Sequence, residues 1–198
     1  MEFRPIPDSL IRTNHVFKMC EGLYDLQKDG LFCDVTIKVG NKSYLAHKAV
    51  LGSCSEVFKA MFSSGFRETN EAELPLDGDP KAFEVLLECA YTGMFPQTSN
   101  IDLVLAILKI AHFLQFDFAT ENCALILDRN VFFTSGNIEK AVYFLIISDM
   151  YGLDRLKTRC KRYISKNFTK CVVIREKMTA QLMLEILKDA KLPSEKQV

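Results

Sequence analysis

The stretch that most constrains the fold of this chain is LFCDVTIKVGNKSYLAHKAVLGSCSEVFKAMFSSGFRE, from Leu31 to Glu68. Val35, Ile37 and Val39 alternate with Asp34, Thr36 and Lys38, the period of a strand with one buried face. Gly40-Asn41 is a two-residue turn that tolerates positive φ, and Ser43 to His47 makes the return strand. Ser53-Cys54-Ser55-Glu56 then has capping-box spacing, a serine oxygen followed three residues on by a glutamate. Behind it Val57, Phe58, Met61 and Phe62 fall on one helical face, and Gly65 accepts the left-handed conformation that ends the helix. Phe66-Arg67-Glu68 is left in an exposed connection. A hairpin, a kinked helix pair and a loop closing on an aromatic and an acid make a surface for another protein rather than a catalytic centre.

At 198 residues, 48% of them hydrophobic and 11% aromatic, the chain can bury a large core, which argues against disorder. The apolar runs are broken by lysine, aspartate or glycine before they reach membrane-spanning length, and MEFRPIPDS carries no signal-peptide apolar region. Seven cysteines, at 20, 33, 54, 89, 123, 160 and 171, are scattered with no pair at zinc-ligand spacing. That pattern predicts reduced core cysteines in a cytosolic or nuclear protein, with no metal and no cofactor.

Net charge is zero but divided. Residues 1–131 hold 12 Lys/Arg and 18 Asp/Glu, and residues 132–198 hold 13 and 7, so the front carries −6 and the tail +6. In the tail, Arg155, Arg159, Arg162 and Lys166 share a helical face, against an apolar stripe of Leu156, Cys160, Tyr163 and Ile164. A solvated helix face accounts for these charges better than a nucleic-acid surface, because no aromatic stacking platform accompanies them.

The chain reads as a leading helix over Asn14–Gln27, the hairpin and helix pair, and a short strand near Glu71–Leu76. Asp79-Pro80 is an N-cap with proline at the first helical position; Phe83, Leu86, Leu87, Ala90 and Tyr91 follow on one face and Gly93 closes the helix. Asn100 caps a helix whose apolar positions include Leu103, Ile107, Ile110, Ala111 and Leu114. Further helices are predicted over Thr120–Arg129, 138–151, 153–167 and Ala180–Ala190, with a domain boundary at Phe133-Thr134-Ser135-Gly136.

Catalytic patterns are absent from the sequence. His15, His47 and His112 form no paired metal motif, and no glycine-rich phosphate loop is present. Any histidine could be paired with any of seven cysteines, so no nucleophile pair is singled out. Asp77 and Asp79 are framed by Gly78 and Pro80, which makes them turn and cap residues.

DVTIKVGNKSYLAHKAVLGSCSEVFKAMF, followed by ELPLDGDPKAFEVLLECAYTG, resembles a BTB/POZ domain over Leu10 to Val131. The chain from Ser135 to Asp189 resembles the three-box and start of a BACK domain that follow BTB in kelch-like cullin-3 adaptors. The resemblance implies an α+β fold, a small sheet flanked by helices, over residues 1–133 and an all-α extension over 134–198. It implies a non-enzymatic substrate adaptor of a cullin-3 ubiquitin ligase, with a homodimer, the cullin N-terminal region and a protein substrate as partners, and neither nucleic acid nor membrane.

The resemblance also places sites. Phe66, Arg67 and Glu68 stand where cullin-3-binding members carry a hydrophobic residue, any residue and an acid, with Val57, Phe58, Met61, Tyr91 and Phe95 as neighbours on that surface. A phenylalanine in that loop either anchors a partner or tucks into its own core. Val16, Phe17, Cys20, Leu23 and Tyr24 belong to the helix that packs against a second subunit in the family, and Val16, Phe17, Met19, Cys20, Leu23, Tyr24 and Leu26 make that helix apolar over more than one face. Asp34 and Lys48 stand at the family's charged pocket, where a partly buried ion pair is a sufficient structural role. A corepressor-binding BTB domain of a transcriptional repressor, or an oligomerising scaffold, is the alternative. No kelch, MATH or zinc-finger pattern appears in these residues, so a substrate reader lies either in the C-terminal helices or outside the sequence.

Overall fold

The structure, a computed structural model, describes the backbone of residues 9–63, 73–130 and 138–167, and the side chains of 13–63, 73–129 and 138–167. Its contacts divide the chain into two units, Met1–Cys123 and Ala124–Val198. The predicted Phe66-Arg67-Glu68 site, the cap at Gly65 and the helix over Ala180–Ala190 lie outside the described residues.

In the first unit the alternation beginning at Val35 becomes β1 (Val35–Val39), the centre of a three-stranded sheet in the order β2-β1-β3. Strand β2 (Lys42–Ala46) pairs with it antiparallel, Val39 opposite Lys42 and Val35 opposite Ala46, and β3 (Glu73–Leu76) pairs parallel, Val39 opposite Leu76. Val35, Ile37 and Val39 are all buried, and each such side chain contributes about 1.5–3 kcal/mol. Gly40 turns the hairpin at φ +58, a conformation that costs a side-chain-bearing residue energy.

After the hairpin, α2 (Lys48–Cys54) and α3 (Glu56–Ser63) are separated by one extended residue, Ser55. The observed cap, Ser55, is therefore two residues beyond the Ser53 of the expected capping box. The Ser55 hydroxyl accepts from Phe58 N at 3.1 Å and donates to the Leu114 carbonyl at 2.5 Å. The Ser53 hydroxyl instead donates back to Val50 O, 2.7 Å, within its own helix. Three tandem polar residues offered two serines for one cap, and the serine that also finds a buried carbonyl took it.

Helix α4 (Pro80–Thr92) follows the sequence closely: Asp79 accepts from Ala82 N at 2.9 Å, Pro80 occupies the first turn, and Gly93 closes it at φ +66. Helix α5 (Ile101–Phe113) is capped by Asn100, which accepts from Leu103 N at 3.2 Å. A single left-handed residue, Gln115, then turns the chain into α6 (Asp117–Asn130), in which the two units meet in sequence. The leading helix, α1 (Ser9–Lys28), starts five residues earlier than expected; Ser9 and Asn14 are both cap-type residues, and spacing alone could not choose between them.

In the second unit α7 (Ile138–Met150) and α8 (Asp154–Lys166) are joined through Gly152 at φ +66. Leu156, Cys160 and Ile164 form the buried stripe of α8, while Tyr163 is half-buried at its margin. The basic stripe is partly neutralised: Asp128 meets Arg155 at 3.6 Å and Arg159 at 3.4 Å, and Arg159 also donates to the Asp128 carbonyl. An open groove of about 490 Å³ between these groups is lined by Asp128, Asp154, Arg155, Thr158, Arg159 and Arg162. Two carboxylates among three guanidiniums favour an ion-pair network over a nucleic-acid surface.

Candidate interaction site

Three surfaces in the first unit carry the residues singled out from the sequence. The first is α1. From Thr13 to Met19 every side chain is exposed, and Val16 (53%), Phe17 (46%), Met19 (54%) and Leu23 (37%) leave large apolar area in solvent. Cys20 and Tyr24, expected beside them, are half-buried. The Tyr24 ring lies 6.1 Å from that of Tyr91 on α4 and carries the Lys28 ammonium 4.1 Å above it, so Tyr24 serves the α1–α4 contact. One side of α1 is thus spent on its own domain and the other is uncovered.

The second surface is α3 and what flanks it. The bond from Ser55 to Leu114 ties the start of α3 to the corner between α5 and α6. Val57, Met61 and Phe62 are half-exposed, with Phe62 stacked on Phe58 at 5.6 Å. Two of the expected surface residues are corrected by burial. Phe58 is in the core, lining an apolar void of about 10 Å³ with Leu51, Leu87, Leu114 and Phe116. Tyr91 is also in the core, because its position on the apolar stripe of α4 points it at His47. Phe95 is half-exposed, in the connection after α4. Sequence reasoning missed Phe113 (61% exposed) and Phe118 (41%), which flank the same corner. Their signal was present: both are large apolar residues off the stripe that ends at Leu114.

The third is the junction of α1, β1 and α2. His47, buried at the N-terminus of α2, lies with Nε2 2.9 Å from the Leu31 carbonyl. A carbonyl only accepts, so Nε2 carries the proton and Nδ1 accepts from the Tyr91 hydroxyl at 2.7 Å. That hydroxyl accepts in turn from His47 N at 2.9 Å. Burial, the main cause, pushes the Tyr91 phenol up to about 12. Cys33 Sγ stands 3.8 Å from Nε2, but that nitrogen has no lone pair to offer. Burial and then the neighbouring Asp34 charge raise the Cys33 thiol, the reverse of what activates a nucleophile. Asp34 is exposed, and its carboxylate accepts from the main-chain N–H of Lys48 at 2.7 Å, while the Lys48 ammonium lies 5.7 Å from the Phe62 ring. The Asp34 carboxylate, expected as part of a partly buried pair, is exposed and meets the main chain at the start of α2. Among the described residues no cluster of three or more His, Cys, Asp or Glu side chains could hold a metal, and no helix is long and apolar enough to cross a membrane.

A family model described as the BTB/POZ domain matches residues 23–131, more than half of the chain. The chain belongs to the BTB/POZ family. This BTB chain is similar to kelch repeat and BTB domain-containing protein 2 of Homo sapiens, 29% identical over 160 residues, covering 80% of this chain and 25% of that protein. It is similar to kelch-like protein 25 of Xenopus tropicalis, 30% identical over 159 residues, covering 79% and 26%. The chain thus spans about a quarter of the length of the curated relatives it matches. Among solved structures, the BTB domain of zebrafish PATZ1 aligns with a TM-score of 0.52 at 34% identity, covering 59% of this chain and 94% of that one.

Proposed function

We propose that this BTB chain is a non-catalytic adaptor that self-associates through α1 and docks the N-terminal region of cullin-3 through α3 and the α5–α6 corner. Another region of the protein would hold a substrate for ubiquitin transfer. The observation that supports this reading is the group of apolar side chains outside the core at that corner: Val57 and Met61 half-exposed, Phe113 and Phe118 exposed. Phe66 follows the last residue of α3 by three positions in sequence, and Phe66-Arg67-Glu68 is taken as the anchor of this reading. The similarity to kelch-like relatives runs over 159–160 residues, longer than the matched BTB segment, which favours an adaptor with a helical extension over a bare BTB module. The working division is residues 1–133 for the BTB domain and 134–198 for the extension.

The mechanism is proximity. Two copies related by a two-fold axis present two cullin faces and two substrate positions, and the chain raises effective concentration without doing the chemistry. Such a role belongs to the cytoplasm or nucleus.

Calorimetry against a cullin-3 N-terminal fragment tests the docking. Binding at about micromolar affinity or tighter is expected, weakened by about tenfold or more, roughly 1.4 kcal/mol, in Phe66→Ala and in Phe113→Ala. A folded dimer that leaves the cullin fragment unbound would sink the adaptor reading and leave the corepressor or scaffold one.

A further inference from the structure

Helix α8, in the second unit, sets Arg155, Lys157, Arg159, Lys161, Arg162 and Lys166 against a single acid of its own, Asp154. The Lys157 ammonium is taken up by Asp149 of α7 at 2.6 Å. The arginines are placed differently. They stand at the i, i+4 and i+7 positions of one helix edge and border the open groove of about 490 Å³, with Thr158 among them. Asp128 of α6, its side chain 20% exposed, reaches Arg155 at 3.6 Å and Arg159 at 3.4 Å. Both distances exceed the ~2.7–2.9 Å of a charge-assisted hydrogen bond. One carboxylate therefore positions two guanidiniums, and the Arg155 side chain stays 79% exposed. Arg162, at the far end of the row, is exposed as well.

Three guanidiniums against the two carboxylates of Asp128 and Asp154 leave the groove net positive, so its occupant is an anion. The carboxylates narrow the choice. They repel the unbroken phosphate run of a nucleic acid, and a lone phosphate would fill only a small part of the groove. Spacing narrows it further. The helix rises about 10.5 Å from Arg155 to Arg162, and an extended peptide advances about 10 Å over three residues. Two carboxylates three residues apart on such a peptide match the two outer guanidiniums, whose planar forks suit carboxylates. We infer that the α8 groove docks an extended acidic segment of a partner protein. Its carboxylates meet Arg155 and Arg162, and its main chain passes Thr158 and Arg159. The inference goes beyond the adaptor reading and uses neither the cullin face nor α1.

The probe is a glycine-serine peptide carrying two aspartates three residues apart, titrated into the full chain at low salt and followed by NMR, which reads weak affinities. An isomer of the same composition with the two aspartates adjacent goes beside it. The spaced peptide should bind about threefold or more tighter than the isomer, and weaken as salt is raised. Arg155→Gln and Arg162→Gln should each weaken it about threefold or more, while Lys38→Gln, on an exposed position of β1, leaves it unchanged. Urea midpoints report whether each variant is folded; should Arg155→Gln unfold, Arg162→Gln decides alone. Equal binding of the two isomers, binding untouched by the arginine variants, or no binding of either peptide overturns the inference. So does a duplex DNA that binds more tightly than the spaced peptide and is lost in the same variants, since the occupant is then a nucleic acid.

Discussion

At Gly78, between β3 and α4, a methyl group has nowhere to go: a Cβ there would lie 2.7 Å from Ile110 Cδ1 and 2.9 Å from its Cγ1. Ile110 is buried at the α5 side of the sheet, so Gly78→Ala should cost about 1–3 kcal/mol in urea denaturation, and an unchanged midpoint would contradict this packing. Tyr91→Phe removes a hydroxyl that both accepts from His47 N and donates to His47 Nδ1, leaving a buried donor and a buried acceptor unmatched. It should cost about 1–3 kcal/mol with little change in near-neutral fold, measured the same way. Tyr91 also marks the limit of sequence reading. Its helical period placed it on the core stripe correctly, yet family position alone put it on the cullin rim; the polar partner that settles the matter, His47, is distant in sequence. Three buried thiols have a common signature. Cys89, Cys123 and Cys160 are pushed up to about 12, chiefly by burial, from an ordinary 9.0. The folded state therefore keeps protons that the unfolded state releases above pH 9. The stability this contributes is full below pH 9 and is lost as pH rises toward 12. Urea midpoints should fall across that window, and a thiol reagent at neutral pH should label half-exposed Cys33 and Cys54 well before these three.

At the scale of elements, the two serines between α2 and α3 give a clean contrast. Ser55→Ala loses the α3 cap and the tie to Leu114, and should cost about 1–3 kcal/mol; Ser53→Ala, whose exposed hydroxyl meets only Val50 O and Cys54 Sγ of its own helix, should cost under about 0.5 kcal/mol. Equal costs in thermal denaturation would reject this assignment. The elements most legible in sequence were those with local punctuation: Val35–Val39 with Gly40, and Asp79-Pro80 to Gly93, where cap, proline and glycine act within a few residues. What local signals could not supply was the parallel register of β3 on β1, a pairing between segments more than thirty residues apart that depends on how α2 and α3 pack. The exposed half of α1 was legible as an overly apolar helix, and which side α4 takes was not.

For the whole molecule, an α1 contact made of Val16, Phe17, Met19 and Leu23 carries no charge at its centre, so self-association should change by less than about threefold between low and high salt. Light scattering across a salt series checks this, and steep weakening with salt would place the contact on the charged faces instead. The mixed sheet has a consequence for how the chain reaches this state. Strand β1 meets β2 through a two-residue turn, a closure on the microsecond scale, but meets β3 only after the chain from Val39 to Leu76 has come round. During synthesis the hairpin therefore emerges with Val35, Ile37 and Val39 uncovered, and it stays sticky until α4 and α5 have left the ribosome to shield it. A slow stretch of translation just after the hairpin would lengthen that exposure, while the same pause placed after α5 would be harmless to the sheet.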